Sequence, residues 1–132
     1  MGAPDRDAPV PKILLIDDDA LVRYAIVRIL AHEYKVVSAG NGREGVAALQ
    51  KEPFDLVITD ILMPDQEGIE TIRAIRRLSP GVPIIAISGG GRFSGPDYLA
   101  LAEKFGASKT IPKPFEPAAL LNSIEQCLAA GG

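Results

Sequence analysis

The sequence predicts a doubly wound α/β domain, a five-stranded parallel sheet with helices on both faces. Two observations predict it. Strand-like and helix-like segments alternate along the chain, about five of each, and such alternation means right-handed crossovers onto a mostly parallel sheet. The first strand-like segment, Ile13-Leu14-Leu15-Ile16, is apolar without interruption, as suits a strand covered on both sides. A length of 132 residues fits one domain.

The elements follow in order. The run at residues 13–16 stops at Asp17-Asp18-Asp19. Val22, Ala25, Ile26, Ile29 and Leu30 then fall at i, i+3, i+4, i+7 and i+8, a helical stripe with Asp19 as its N-cap. Residues 34–39 form a second strand, and 42–50 a short helix with Val46 and Leu49 facing inward, which its two glycines weaken. A third strand over 54–59 ends at Asp60, and Met63-Pro64-Asp65 breaks the chain. A helix over 67–78 sets Ile69, Ile72 and Ile75 on one side and Arg73, Arg76 and Arg77 on a solvated one. Ser79-Pro80-Gly81 stops it. A fourth strand, 83–88, leads to Gly89-Gly90-Gly91, whose backbone freedom predicts a mobile loop. A helix over 96–105 is followed by Gly106 at C′. Residues 109–111 form a fifth strand, and a last helix from Glu116 buries Leu120, Leu121, Ile124, Cys127 and Leu128. Residues 1–10 read as a flexible arm, 11–130 as the domain and 131–132 as a tail.

Composition narrows the function. The net charge of −3 argues against direct nucleic-acid binding, which needs a concentrated positive surface. No apolar run approaches the length of a membrane span, and the charged start offers no secretory signal. One cysteine cannot form an internal disulfide, which fits a cytoplasmic protein. One histidine excludes zinc sites built from several His and Cys ligands.

The chemistry sits where strands end: Asp17 and Asp18 after the first, Asp60 at the third, Ser88 at the fourth, Lys113 after the fifth. Parallel strands gather these groups on one rim, where ligands of open α/β sheets bind. If the first and third strands are neighbours, three carboxylates converge. Their repulsion is relieved by a hard divalent cation, of which Mg²⁺ is the natural choice. A cation, a nucleophilic carboxylate, a hydroxyl and an ammonium suit phosphoryl transfer.

These pieces resemble the response-regulator receiver domain of two-component signalling, the CheY-like superfamily. The resemblance covers roughly residues 11–130. It rests on Ile13-Leu14-Leu15-Ile16-Asp17-Asp18-Asp19, on Asp60-Ile61-Leu62-Met63-Pro64-Asp65 with Gly68, on Ile87-Ser88-Gly89 and on Lys113-Pro114-Phe115. It implies the flavodoxin-like strand order 2-1-3-4-5. Asp60 matches the phosphoacceptor. Asp17 and Asp18 match the acidic pair that holds Mg²⁺, with Asp18 the more direct ligand, and the backbone carbonyl of Leu62 matches a further one. Ser88 matches the switch hydroxyl, and Gly89 the small residue that leaves room for phosphate. Lys113 matches the family lysine, with a cis bond to Pro114. Thr110 stands where the family often has an aromatic, so the readout is expected to run through the glycine loop. The apolar Leu62 side chain is expected to shield the acyl phosphate from water.

The implied function is a phosphorelay switch and not a turnover enzyme. It takes a phosphoryl group from a histidine kinase or histidine phosphotransfer protein. It passes the signal to an unknown downstream protein through the fourth helix, fifth strand and fifth helix, as a stand-alone or excised receiver. Homodimerisation stays open. Rival readings are a haloacid-dehalogenase-type phosphatase with Asp17 as nucleophile, a degenerate receiver acting only as a binding module, and a flavodoxin-like FMN carrier. Against the phosphatase, only Glu116 and Glu125 follow Lys113, where a second acidic pair belongs. Against the FMN carrier, three carboxylates stand where a phosphate loop belongs. The plain alternatives are a helix cap for Asp17-Asp18-Asp19, a turn residue for Asp60, a surface position for His32 and packing for Cys127.

Overall fold

In a computed structural model, residues 9–61, 67–88 and 96–131 are described. The chain runs β1 (Lys12–Ile16), α1 (Ala20–Leu30), β2 (Lys35–Ala39), α2 (Gly42–Lys51), β3 (Leu56–Asp60), α3 (Glu67–Leu78), β4 (Ile84–Ser88), α4 (Pro96–Phe105), β5 (Lys109–Pro112) and α5 (Pro117–Gly131). The five strands form one parallel sheet in the order β2-β1-β3-β4-β5.

Strand alternation splits the core into two layers. Leu14, Ile16, Val57, Ile84 and Ala86 pack with Ile72 and Ile75 of α3 and Ala102 of α4. Ile13, Leu15, Leu56, Ile58, Ile85 and Ile87 pack on the other side with Ile26 and Leu30 of α1 and Leu120, Ile124 and Cys127 of α5. Each fully buried Leu or Ile contributes about 1.5–3 kcal/mol.

Local chemistry explains the helix ends. Asp19 accepts from the amides of Leu21 at 2.9 Å and Val22 at 3.4 Å and so caps α1. Asn41, a cap the sequence reading did not assign, accepts from Glu44 N at 2.8 Å to start α2. The glycines that weaken α2 as a sequence have a reason in packing. A Cβ on Gly45 would lie 2.3 Å from Ile16 Cδ1, so glycine lets α2 seat directly on β1. Helix α4 is closed by the residue after it, Gly106, φ +127°, with Gly106 N donating to Glu103 O at 3.1 Å and Ala107 N to Ala102 O at 2.9 Å.

Three readings need correction. Arg76 is not a solvated residue. Its guanidinium donates to Gly106 O at 2.8 and 3.0 Å, to Val82 O at 2.6 Å and to Pro80 O at 3.0 Å. Periodicity placed it on the polar side, but its length carries the head to carbonyls that the turns leave unpaired. Val46 is only half-buried and lines a groove against α3. Helix α5 runs through Gly131, past the expected boundary at 130, because Ala129 and Ala130 extend a helix readily. Residues 1–8 of the arm, the 63–65 break and the glycine loop at 89–91 lie outside the described residues.

Candidate functional site

The site is built at the carboxyl ends of the strands. Asp17 extends β1 by one residue: its amide donates to Ala39 O at 3.1 Å, continuing the ladder to β2. The chain then turns, and Asp17 Oδ1 accepts from Asp19 N at 2.8 Å, the short-range bond by which aspartate closes a turn. Asp60 is the last residue of β3, paired in register with Ile87, and the next amide, Ile61, donates to Ile87 O at 3.0 Å. Neighbouring β1 and β3 bring the acids together. One carboxylate oxygen from each of Asp17, Asp18 and Asp60 lies within 4.8 Å of the other two. Asp17 and Asp60 are buried, at 1% and 6% exposure, whereas Asp18 faces solvent.

Lys113 enters from β5. The Lys113–Pro114 bond is cis. Lys113 Nζ lies 3.3 Å from Asp60 Oδ2 and 3.5 Å from Asp17 Oδ2. When all three acids are ionised, their charge exceeds that of Lys113, the cation that approaches them among the described residues, by two. At an effective dielectric constant of about 20, two charges this close repel by a few kcal/mol. Hard oxygen donors with that surplus fit a divalent cation of the magnesium class.

Ser88 closes β4, one residue beyond the partner of Asp60 and opposite Pro112 of β5, so its backbone borders the same rim. Leu62 and Gly89 lie outside the described residues. His32 is exposed beyond the end of α1, and Thr110 is half-buried on β5.

Sequence reasoning missed Arg23. Its Nη1 donates to the backbone oxygen of Asp17 at 2.6 Å, which fixes the peptide between the two adjacent acids. The signal was available. A cation in the first turn of a helix is disfavoured by the dipole, so Arg23 there calls for an acceptor close by.

A sequence profile of the response regulator receiver domain matches residues 13–125. The chain belongs to this family. The receiver domain is similar to the response regulator receiver protein CpdR of Brucella abortus, 36% identical over 90% of this chain and 98% of that protein. It is 34% identical to the transcriptional regulatory protein GlrR of Escherichia coli over 88% of this chain, but spans only 26% of that relative's length. The crystal structure of a CheY-like receiver domain protein from Methanospirillum hungatei superposes with a TM-score of 0.85 at 31% identity. That match covers 93% of this chain and 97% of that one. The strand order expected from the resemblance is the one observed.

Proposed function

We propose that this receiver accepts a phosphoryl group on Asp60. A carboxylate oxygen of Asp60 attacks the phosphorus of a phosphohistidine on a histidine kinase or phosphotransfer protein. The P–N bond breaks, and the histidine nitrogen keeps the electron pair and is reprotonated. The supporting observation is the juxtaposition of Asp60 with two further carboxylates and with an ammonium at 3.3 Å. Lys113 is placed to hold an oxygen of the incoming group as its charge develops. Asp17 and Asp18 would hold Mg²⁺ together with Asp60 and the backbone carbonyl of Leu62. When bound, the ion supplies further neutralisation of the phosphoryl oxygens.

Ser88, at the end of β4, would offer its hydroxyl to the phosphorylated state, and Gly89 would leave room for it. Transfer then biases a two-state equilibrium, so the chain acts as a switch and not as a turnover enzyme. Asp17 suits the nucleophile role less well. It is 1% exposed, one oxygen accepts from Asp19 N and the other faces Lys113. Among the described residues no helix is long and apolar enough to cross a membrane, in keeping with a cytoplasmic relay.

Incubation with acetyl phosphate tests the proposal by intact mass. One phosphoryl group should be gained with Mg²⁺ present and none in Asp60→Asn. Lys113→Met should be labelled much more slowly. Equal labelling of Asp60→Asn, or labelling indifferent to Mg²⁺, would refute it.

A further inference from the structure

We propose that the groove between α2 and α3 docks an acidic amphipathic helix of a partner protein. The proposal is independent of phosphorylation, and the groove uses none of the acceptor-site residues. It begins with the arginines of α3. Arg76 is committed to backbone carbonyls, which leaves Arg73 and Arg77 exposed. Arg43 of α2 joins them across a groove of about 500 Å³, whose walls include Arg43, Glu70 and Arg77. A second cleft of about 240 Å³, lined by Glu70, Arg73 and Arg77, continues along α3.

Among the described residues that line the two clefts, three guanidiniums therefore face one carboxylate, on a chain whose net charge is −3. Among the described residues Arg43 and Arg77 have no ion-pair partner. Arg73 Cζ lies over the Phe105 ring, 5.4 Å from its centroid, a cation–π contact.

Between these charges the groove's floor combines Val46, Ala47 and Ala74 with the polar Thr71 and Gln50. Leu78, 45% exposed, lies one turn beyond Ala74 on the same stripe of α3. An occupant must supply apolar side chains to the floor and carboxylates to the rim. A helix with a leucine face flanked by glutamates does both, through burial and forked Arg–carboxylate bonds. A nucleic-acid backbone would satisfy the arginines but leave the floor wet. This favours the protein helix.

The test titrates the unphosphorylated full chain, followed by amide NMR, with a synthetic helix about five turns long. One probe carries leucines flanked by glutamates. The controls are its lysine counterpart and a short DNA duplex. The glutamate peptide should bind saturably, shift amides in 42–51 and 70–78, and weaken with added salt. Arg43→Glu with Arg77→Glu should weaken it by roughly tenfold or more while leaving the thermal midpoint unchanged. Each of four outcomes would overturn the proposal. These are absence of saturable binding, equal binding of the lysine peptide, shifts centred on other helices, or an undiminished affinity in the double variant. Tighter binding of the duplex to the same amides would assign the groove to nucleic acid. Self-association of the chain that the double variant abolishes would assign it to a second copy.

Discussion

The two ends of the sheet treat charge in opposite ways. At the carboxyl ends of the strands, Asp17, Asp18 and Asp60 crowd together, and among the described residues the Lys113 ammonium meets two of them, Asp17 and Asp60. At the other end, the single guanidinium of Arg76 is shared among the carbonyls of Gly106, Val82 and Pro80. Among the described residues, the first end carries surplus negative charge. The other is satisfied from within and is built to hold α3, α4 and β4 in place. Stability and function are thus assigned to different rims, and substitutions at the two rims should act with opposite sign.

The largest effect is expected at the satisfied end. Arg76→Ala should lower unfolding stability by about 3 kcal/mol, because charge-assisted bonds are lost and their carbonyls stay half-buried. A urea denaturation midpoint measures this. Arg76→Lys should recover only part of it, since one ammonium cannot reproduce the fork. Gly106→Ala should cost about 2 kcal/mol. Its backbone sits at φ +127°, and the new Cβ would lie 2.7 Å from Arg76 Cγ. Part of that cost is the clash, so Arg76→Ala with Gly106→Ala should destabilise by less than the sum.

At the surplus end the sign reverses. Without a divalent cation, Asp60→Asn should stabilise the fold by about 1 kcal/mol, because one of three crowded carboxylates loses its charge. Adding Mg²⁺ should raise the melting temperature of the native chain and leave that of the variant nearly unchanged. A variant less stable than the native chain without cation would break the comparison.

The smallest effect is a pH dependence from the satisfied end, where burial raises the pKa of the Cys127 thiol and Lys109 partly opposes it. The folded state holds this proton more tightly than the unfolded one. Stability is therefore full below the ordinary thiol value of about 8.5 and falls as pH rises through the folded value. Burial, with Glu33 and Glu125, raises the Tyr34 pKa likewise, in a higher window that opens near its ordinary value of about 10. Denaturation between these two onsets should show a decline that Cys127→Ala flattens and Tyr34→Phe does not.

Most of the architecture was legible in the sequence. The unbroken apolar run at 13–16 and the stripe through Val22, Ile26 and Leu30 are period signals, and periodicity survives into structure. So did the meeting of the acids, because strand ends in a parallel sheet share a rim. Less legible were residues whose role depends on reach. Arg76 and Arg23 lie on polar faces by their spacing, yet long side chains carry their charges back to carbonyls. Gly45 looked like a weakness in α2 because the cost of glycine is local, whereas its benefit, contact with Ile16, comes from a strand far away in sequence.

The central claim, that the surplus rim presents Asp60 as an acceptor, is tested most directly by locating the label. After phosphorylation with Mg²⁺, borohydride reduction converts an aspartyl phosphate to homoserine, which peptide mass spectrometry maps. The account predicts homoserine at position 60 alone. Homoserine at position 17, or none anywhere, would contradict it.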